Sequence, residues 1–88
     1  MQLIVTRTFA IAELGTVVFV GLEPIALAPG STHRFLVSRP DGETLEAVAS
    51  VETVRGHSSG TEFPALLFSS LSVAEVVLGS CLSVLEEV

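Results

Sequence analysis

The stretch Arg39-Pro40-Asp41-Gly42-Glu43 constrains the fold more than any other. It separates two runs of alternating apolar and polar residues, and it has the makings of a three-residue hairpin loop. Pro40 and Asp41 suit the centre of a type I turn, and Gly42 suits the left-handed position of the adjoining bulge. That loop sets a register in which Arg39 faces Glu43, Val37 faces Leu45 and Phe35 faces Ala47. Phe35, Val37, Leu45 and Ala47 then share one face, continued by Ala49 and Val51, while Glu46, Ser50 and Glu52 point to water. A two-residue loop would slip the pairing by one and turn the apolar set outward. Arg34 falls diagonal to Glu46, a surface pair worth about 0–1 kcal/mol.

The rest of the chain reads as further short strands. Leu14-Gly15-Thr16-Val17-Val18-Phe19-Val20-Gly21 is a β-branched and aromatic run between glycines, and it predicts a central strand. Its glycines predict a sharp bend or a close backbone approach at each end. Residues 2–12 alternate, with Leu3, Val5, Phe9 and Ile11 on the apolar face and Arg7 interrupting it, which marks a bulge or a change of sheet. Ile25 to Leu27 is a short apolar segment, and Ala28-Pro29-Gly30-Ser31 predicts a turn. Arg55-Gly56-His57-Ser58-Ser59-Gly60 has no apolar residue and predicts the most mobile loop. Phe63 to Phe68 reads as a strand, and Ser69 to Glu75 as a connection with room for one helical turn. Val76 to Val84 reads as the closing strand, bent at Gly79, and Glu86 and Glu87 as a solvated end. Six short strands with regular turns predict an all-β fold, a small antiparallel barrel that is closed or nearly so. Closure removes the exposed edges that a hydrophobic sheet tolerates badly.

Length and composition narrow the function classes. The 88 residues suit one domain, 1–88, with a modest core. Hydrophobic residues reach 49% and the mean hydropathy is +0.70, so some apolar surface is expected outside, as at a partner site. Ten acidic residues against four arginines give a net charge of −6, and the arginines are scattered, which disfavours nucleic acid and anionic membranes. A lone cysteine, Cys81, rules out an internal disulfide and fits a reducing, cytoplasmic setting. The start of the chain lacks the basic region of a signal peptide. Phe63 to Leu85 carries one charge, yet Pro64, Gly79 and the serines break it into two strands and a turn better than into a membrane span.

An ordered series of local matches adds a family resemblance. Phe9-Ala10-Ile11 followed by Leu14-Gly15-Thr16-Val17-Val18-Phe19-Val20-Gly21 is similar to the opening of the second domain of elongation factor Tu-like translational GTPases. Leu27-Ala28-Pro29-Gly30 resembles that family's turn before the third strand. Gly60 with Phe63, Leu66 and Leu67, and then Glu75, Val76, Gly79 and Leu82, resemble its last two strands. The resemblance spans nearly the whole chain. It implies a stand-alone six-stranded antiparallel barrel of the translation-protein type, with contacts to a partner protein, the ribosome or transfer RNA. No Gly-x-x-x-x-Gly-Lys-Ser/Thr phosphate loop occurs, so it implies no nucleotide hydrolysis. Leu78 stands where the family commonly has a basic residue, which weakens the implied RNA contact.

Candidate chemistry is sparse. His33, His57, Cys81 and a glutamate show no recurring ligand spacing, so the histidines read as solvated loop residues and no metal or other cofactor is expected. Cys81 reads as a small packing residue of the last strand, lacking a base for a nucleophilic role beyond the loop residue His57. Glu46 and Glu52 lie about 20 Å apart along one strand, too far for paired acid–base work. The loop at 56–60 lacks the basic residue and helix that usually help hold a phosphate. These readings favour a non-catalytic protein-interaction module or homo-oligomer. Phe19, Leu22 and Leu78 are the candidate contacts, because they sit at strand ends or off the inner face. The alternative is a translation-associated RNA- or ribosome-binding accessory domain.

Overall fold

The computed structural model describes residues 2–21, 27–55 and 62–88. Six strands follow in chain order: β1 (Gln2–Ile11), β2 (Gly15–Val20), β3 (Thr32–Ser38), β4 (Thr44–Arg55), β5 (Glu62–Phe68) and β6 (Cys81–Glu87). They form a closed antiparallel barrel in the order β1-β2-β5-β4-β3-β6. No helix occurs among the described residues.

The β3–β4 hairpin has the register its loop dictates. Val37 faces Leu45 and Phe35 faces Ala47. The Gly42 N–H donates to the Arg39 carbonyl (3.0 Å), the Arg39 N–H donates to Glu43 (2.8 Å), and Gly42 is left-handed at φ +93°. Phe35, Val37, Ala47, Ala49 and Val51 are buried in the core with Val5, Val18, Leu66, Phe68 and Leu82. Phe35 meets Phe68 edge to face at 5.7 Å. Each such large side chain contributes about 1.5–3 kcal/mol by leaving water. On the outer side Arg34 pairs with Glu46 at 3.5 Å and also with Glu86.

Strand β2 lies between β1 and β5, as a central strand should. Its run of apolar residues hides a two-residue alternation: Thr16, Val18 and Val20 are buried, and Val17 and Phe19 half-buried. Gly15 is a close backbone approach. A Cβ there would lie 2.3 Å from the Phe68 carbonyl oxygen, and its φ is +123°. At Gly21 there is no close approach, since a side chain there would meet open space.

Two further expectations are corrected. The alternation in β1 places Phe9 and Ile11 with Leu3 and Val5, but the strand bulges between Val5 and Arg7. One extra residue reverses the parity, so Val5 is buried while Phe9 and Ile11 are 47% and 40% exposed. The closing strand starts at Cys81, not Val76. Gly79 at φ +88° and the Ser80–Val77 turn stop extension, and Val76 is buried instead. Glu86 and Glu87 are exposed, as a solvated end should be, while continuing β6 opposite Arg34 and His33.

The connection from Ser69 to Ser80 is anchored at several points. The buried Thr16 hydroxyl donates to the Leu71 carbonyl at 2.7 Å. The Gly79 N–H donates to Val5, and the Val5 N–H to Ser80, each at 2.9 Å. Within it, Ser72 and Glu75 cap each other: the Glu75 N–H donates to the Ser72 carbonyl, and the Glu75 carboxylate accepts from the Ser72 N–H, both at 3.0 Å. It is a hydrogen-bonded turn and not the helical turn for which the sequence left room. The turn at 28–31 also forms, with the Ser31 N–H on Ala28 (3.1 Å) and Gly30 at φ +86°.

Candidate interaction surface

The bulge in β1 has a consequence on the outside of the barrel. Phe9 faces Val17, and Val17 faces Leu67 on β5. The three residues form one outward row across three strands, and Val17 and Leu67 remain half-buried. Phe19, one step along β2, packs edge to face on Phe9 at 5.8 Å and 88°. The Arg7 guanidinium stacks over the Phe9 ring, 5.8 Å from its centroid. Ile11 and Leu14 extend this apolar surface to the hairpin tip, and Leu14 is 55% exposed. An aromatic pair, aliphatic neighbours and one cation make a surface suited to another apolar surface rather than to bulk water.

Of the contact residues singled out from the sequence, Phe19 and Leu78 are described, on different segments. Phe19 belongs to this surface and is half-buried by Phe9. Leu78 is 64% exposed in the connection before β6, on a different segment. Leu22 lies outside the described residues, as do Gly56, His57, Ser58, Ser59 and Gly60. Arg55 ends β4, opposite Glu62. Sequence reasoning missed Phe9, Ile11 and Leu14. The signal was Arg7: once a bulge is placed there, the residues after it must change face.

His33 also differs from its sequence reading. It is a buried β3 residue, edge to face with Phe35 at 6.3 Å, not a solvated loop residue. Its Nε2 lies 2.8 Å from the Ser31 hydroxyl, a spacing that a nucleophile and base would share. That hydroxyl, however, donates to the Ala28 carbonyl, so in this arrangement the histidine is the donor and the serine the acceptor. The pair acts as a clasp between the turn and β3.

Cys81 opens β6 half-buried, on the face opposite the buried Leu82. Glu46 and Glu52 are both exposed on the outside of β4. Among the described residues no group of three His, Cys, Asp or Glu is placed to hold a metal ion. Nor is any described helix long and apolar enough to cross a membrane. No family model matches the chain, and neither a curated protein nor a solved structure matches it.

Proposed function

We propose that this barrel is a non-catalytic protein-interaction module that works through the outer face of β1, β2 and β5. The observation that carries the reading is the outward row Phe9–Val17–Leu67 with Phe19 beside it. The chain is rich in apolar residues, and here a bulge holds Phe9 and Ile11 among those left outside. Interface cores favour such aromatic and aliphatic clusters. Six antiparallel strands, with left-handed glycines at 15 and 79, support reading the barrel as the elongation factor Tu second-domain type. The acidic charge and lone cysteine support a cytoplasmic setting.

The test is affinity capture from native extract by the tagged protein, with and without nuclease, beside a Phe9→Ser variant. The expected result is a partner set that survives nuclease and is lost with Phe9→Ser. Ribosomal proteins that disappear with nuclease would instead support the RNA- or ribosome-binding accessory role. Partners retained equally by Phe9→Ser would overturn the assignment of this face.

A further inference from the structure

We infer that the outer edge of β1 pairs with the same edge of a second copy of the chain. This rests on the interaction-module reading and names the occupant of part of that surface. Barrel closure joins β1 to β6 only through Gln2, Leu3 and Ile4, and the Gly79–Ser80 connection takes over at Val5. Beyond the bulge, Arg7 to Ile11 pair with β2 on one side. No described residue bonds their other side.

The direction of the backbone groups follows from the hairpin. The Ile11 carbonyl accepts from Leu14 within the loop, at 3.1 Å. Antiparallel strands alternate, so Arg7 and Phe9 also address β2, and Thr8 and Ala10 turn their N–H and C=O groups outward. An unpaired apolar strand edge of this kind is a template for another strand.

The edge is complementary to itself. An antiparallel two-fold centred on Phe9 sets Thr8 against Ala10 of the second copy, and Ala10 against Thr8. All four outward groups of each chain are then satisfied. Phe9 meets its own copy in a non-hydrogen-bonded pair, where side chains approach most closely. The apolar row would run unbroken through both barrels. On the other face Thr8 and Ala10 are small enough to allow the approach.

Charge also fits a second copy. In this register Arg7 faces Ile11 of the other chain, with Glu13 in the turn just beyond it, twice by symmetry. Neither Arg7 nor Glu13 has an ion-pair partner among the described residues. A strand pair this short buries less than the roughly 800 Å² per partner of a standard interface, so a weak, concentration-dependent dimer is expected.

Sedimentation of the protein from low micromolar to millimolar concentration tests this, beside Ala10→Pro. Proline there removes an outward N–H and leaves the ladder to β2 intact. The expected result is reversible dimerisation, with dissociation raised roughly tenfold or more in Ala10→Pro. A charge cycle gives a second readout should Ala10→Pro not fold. Arg7→Glu and Glu13→Arg should each weaken the dimer, and the double variant should restore it. A wild-type chain that stays monomeric to millimolar concentration overturns the proposal, as does Ala10→Pro or the charge variants associating like the wild type. Capture of a partner by a strictly monomeric chain would overturn this inference while leaving the interaction-module reading standing.

Discussion

The β3–β4 and β1–β2 hairpins turn through three residues each and put them to opposite uses. In the first, Pro40-Asp41-Gly42 places a glycine at the left-handed position, and the flanking strands send every large apolar side chain of their core face inward. In the second, Ala12-Glu13-Leu14 places a glutamate at φ +70°, and Phe9, Ile11 and Leu14 stand in water. Loop chemistry, strand parity and burial agree with one another in the β3–β4 hairpin. They disagree in β1–β2, and the disagreement starts at one bulge. Local rules tend to fail where a surface serves something other than stability.

The sharpest way to break this contrast is to truncate the same residue type in each hairpin. Phe35→Ala should cost about 3–5 kcal/mol, because it empties a fully buried site that also supports Phe68. Phe9→Ala should cost only about 1 kcal/mol, since the ring is half in water and loses chiefly its contact with Phe19. Urea denaturation measures both. Equal losses would mean that the outer face is a second core, and the interaction reading would lose its basis.

Legibility in the sequence follows the same divide. The register at 35–47 was readable because a Pro-Asp-Gly loop has few alternatives and a one-residue slip would expose the whole apolar face. Strand count and closure were readable from turns and alternation. The direction of Phe9 and Ile11 was not, because Arg7 marked either a bulge or a change of sheet, and only a bulge adds the one residue that reverses the parity. The burial of His33 was legible in the β3–β4 register, two residues before Phe35 and opposite Ala49 on the inner face, and was missed because a histidine next to a turn looks like a loop residue. The start of β6 was obscured because Val76 and Val77 have strand character while Gly79 decides the backbone path.

Swapping loop chemistry sharpens the comparison with a smaller effect. Gly42→Ala meets no atoms, so its cost is the left-handed conformation alone, about 1 kcal/mol. Glu13→Gly removes a similar strain from the other loop but adds freedom to the unfolded chain, so the net change should stay within about 0.5 kcal/mol. Thermal unfolding of the two variants should therefore show a clear loss for the first and almost none for the second. A loss above about 1 kcal/mol for Glu13→Gly would show that the Glu13 side chain itself holds the β1–β2 tip.

The smallest expected effect concerns the carboxylate that organises the β3–β4 loop. Asp41 is the single aspartate of the chain, so its titration by carboxyl NMR is unambiguous. Its Oδ1 accepts the Glu43 N–H at 2.9 Å, and its Oδ2 meets the Arg39 guanidinium at 3.1 Å. The backbone hydrogen bond from Glu43 is the largest cause that holds its carboxyl below the usual 3.8; desolvation opposes it, and the Arg39 charge adds a lesser lowering. A carboxyl held lower in the folded chain than in the unfolded one stabilises fully above 3.8. That contribution is lost as the pH falls through the folded value. Because the backbone donor leads, Arg39→Gln should return Asp41 only part of the way to its ordinary titration. Complete return in Arg39→Gln would mean that the ion pair, not the loop's backbone, organises the turn.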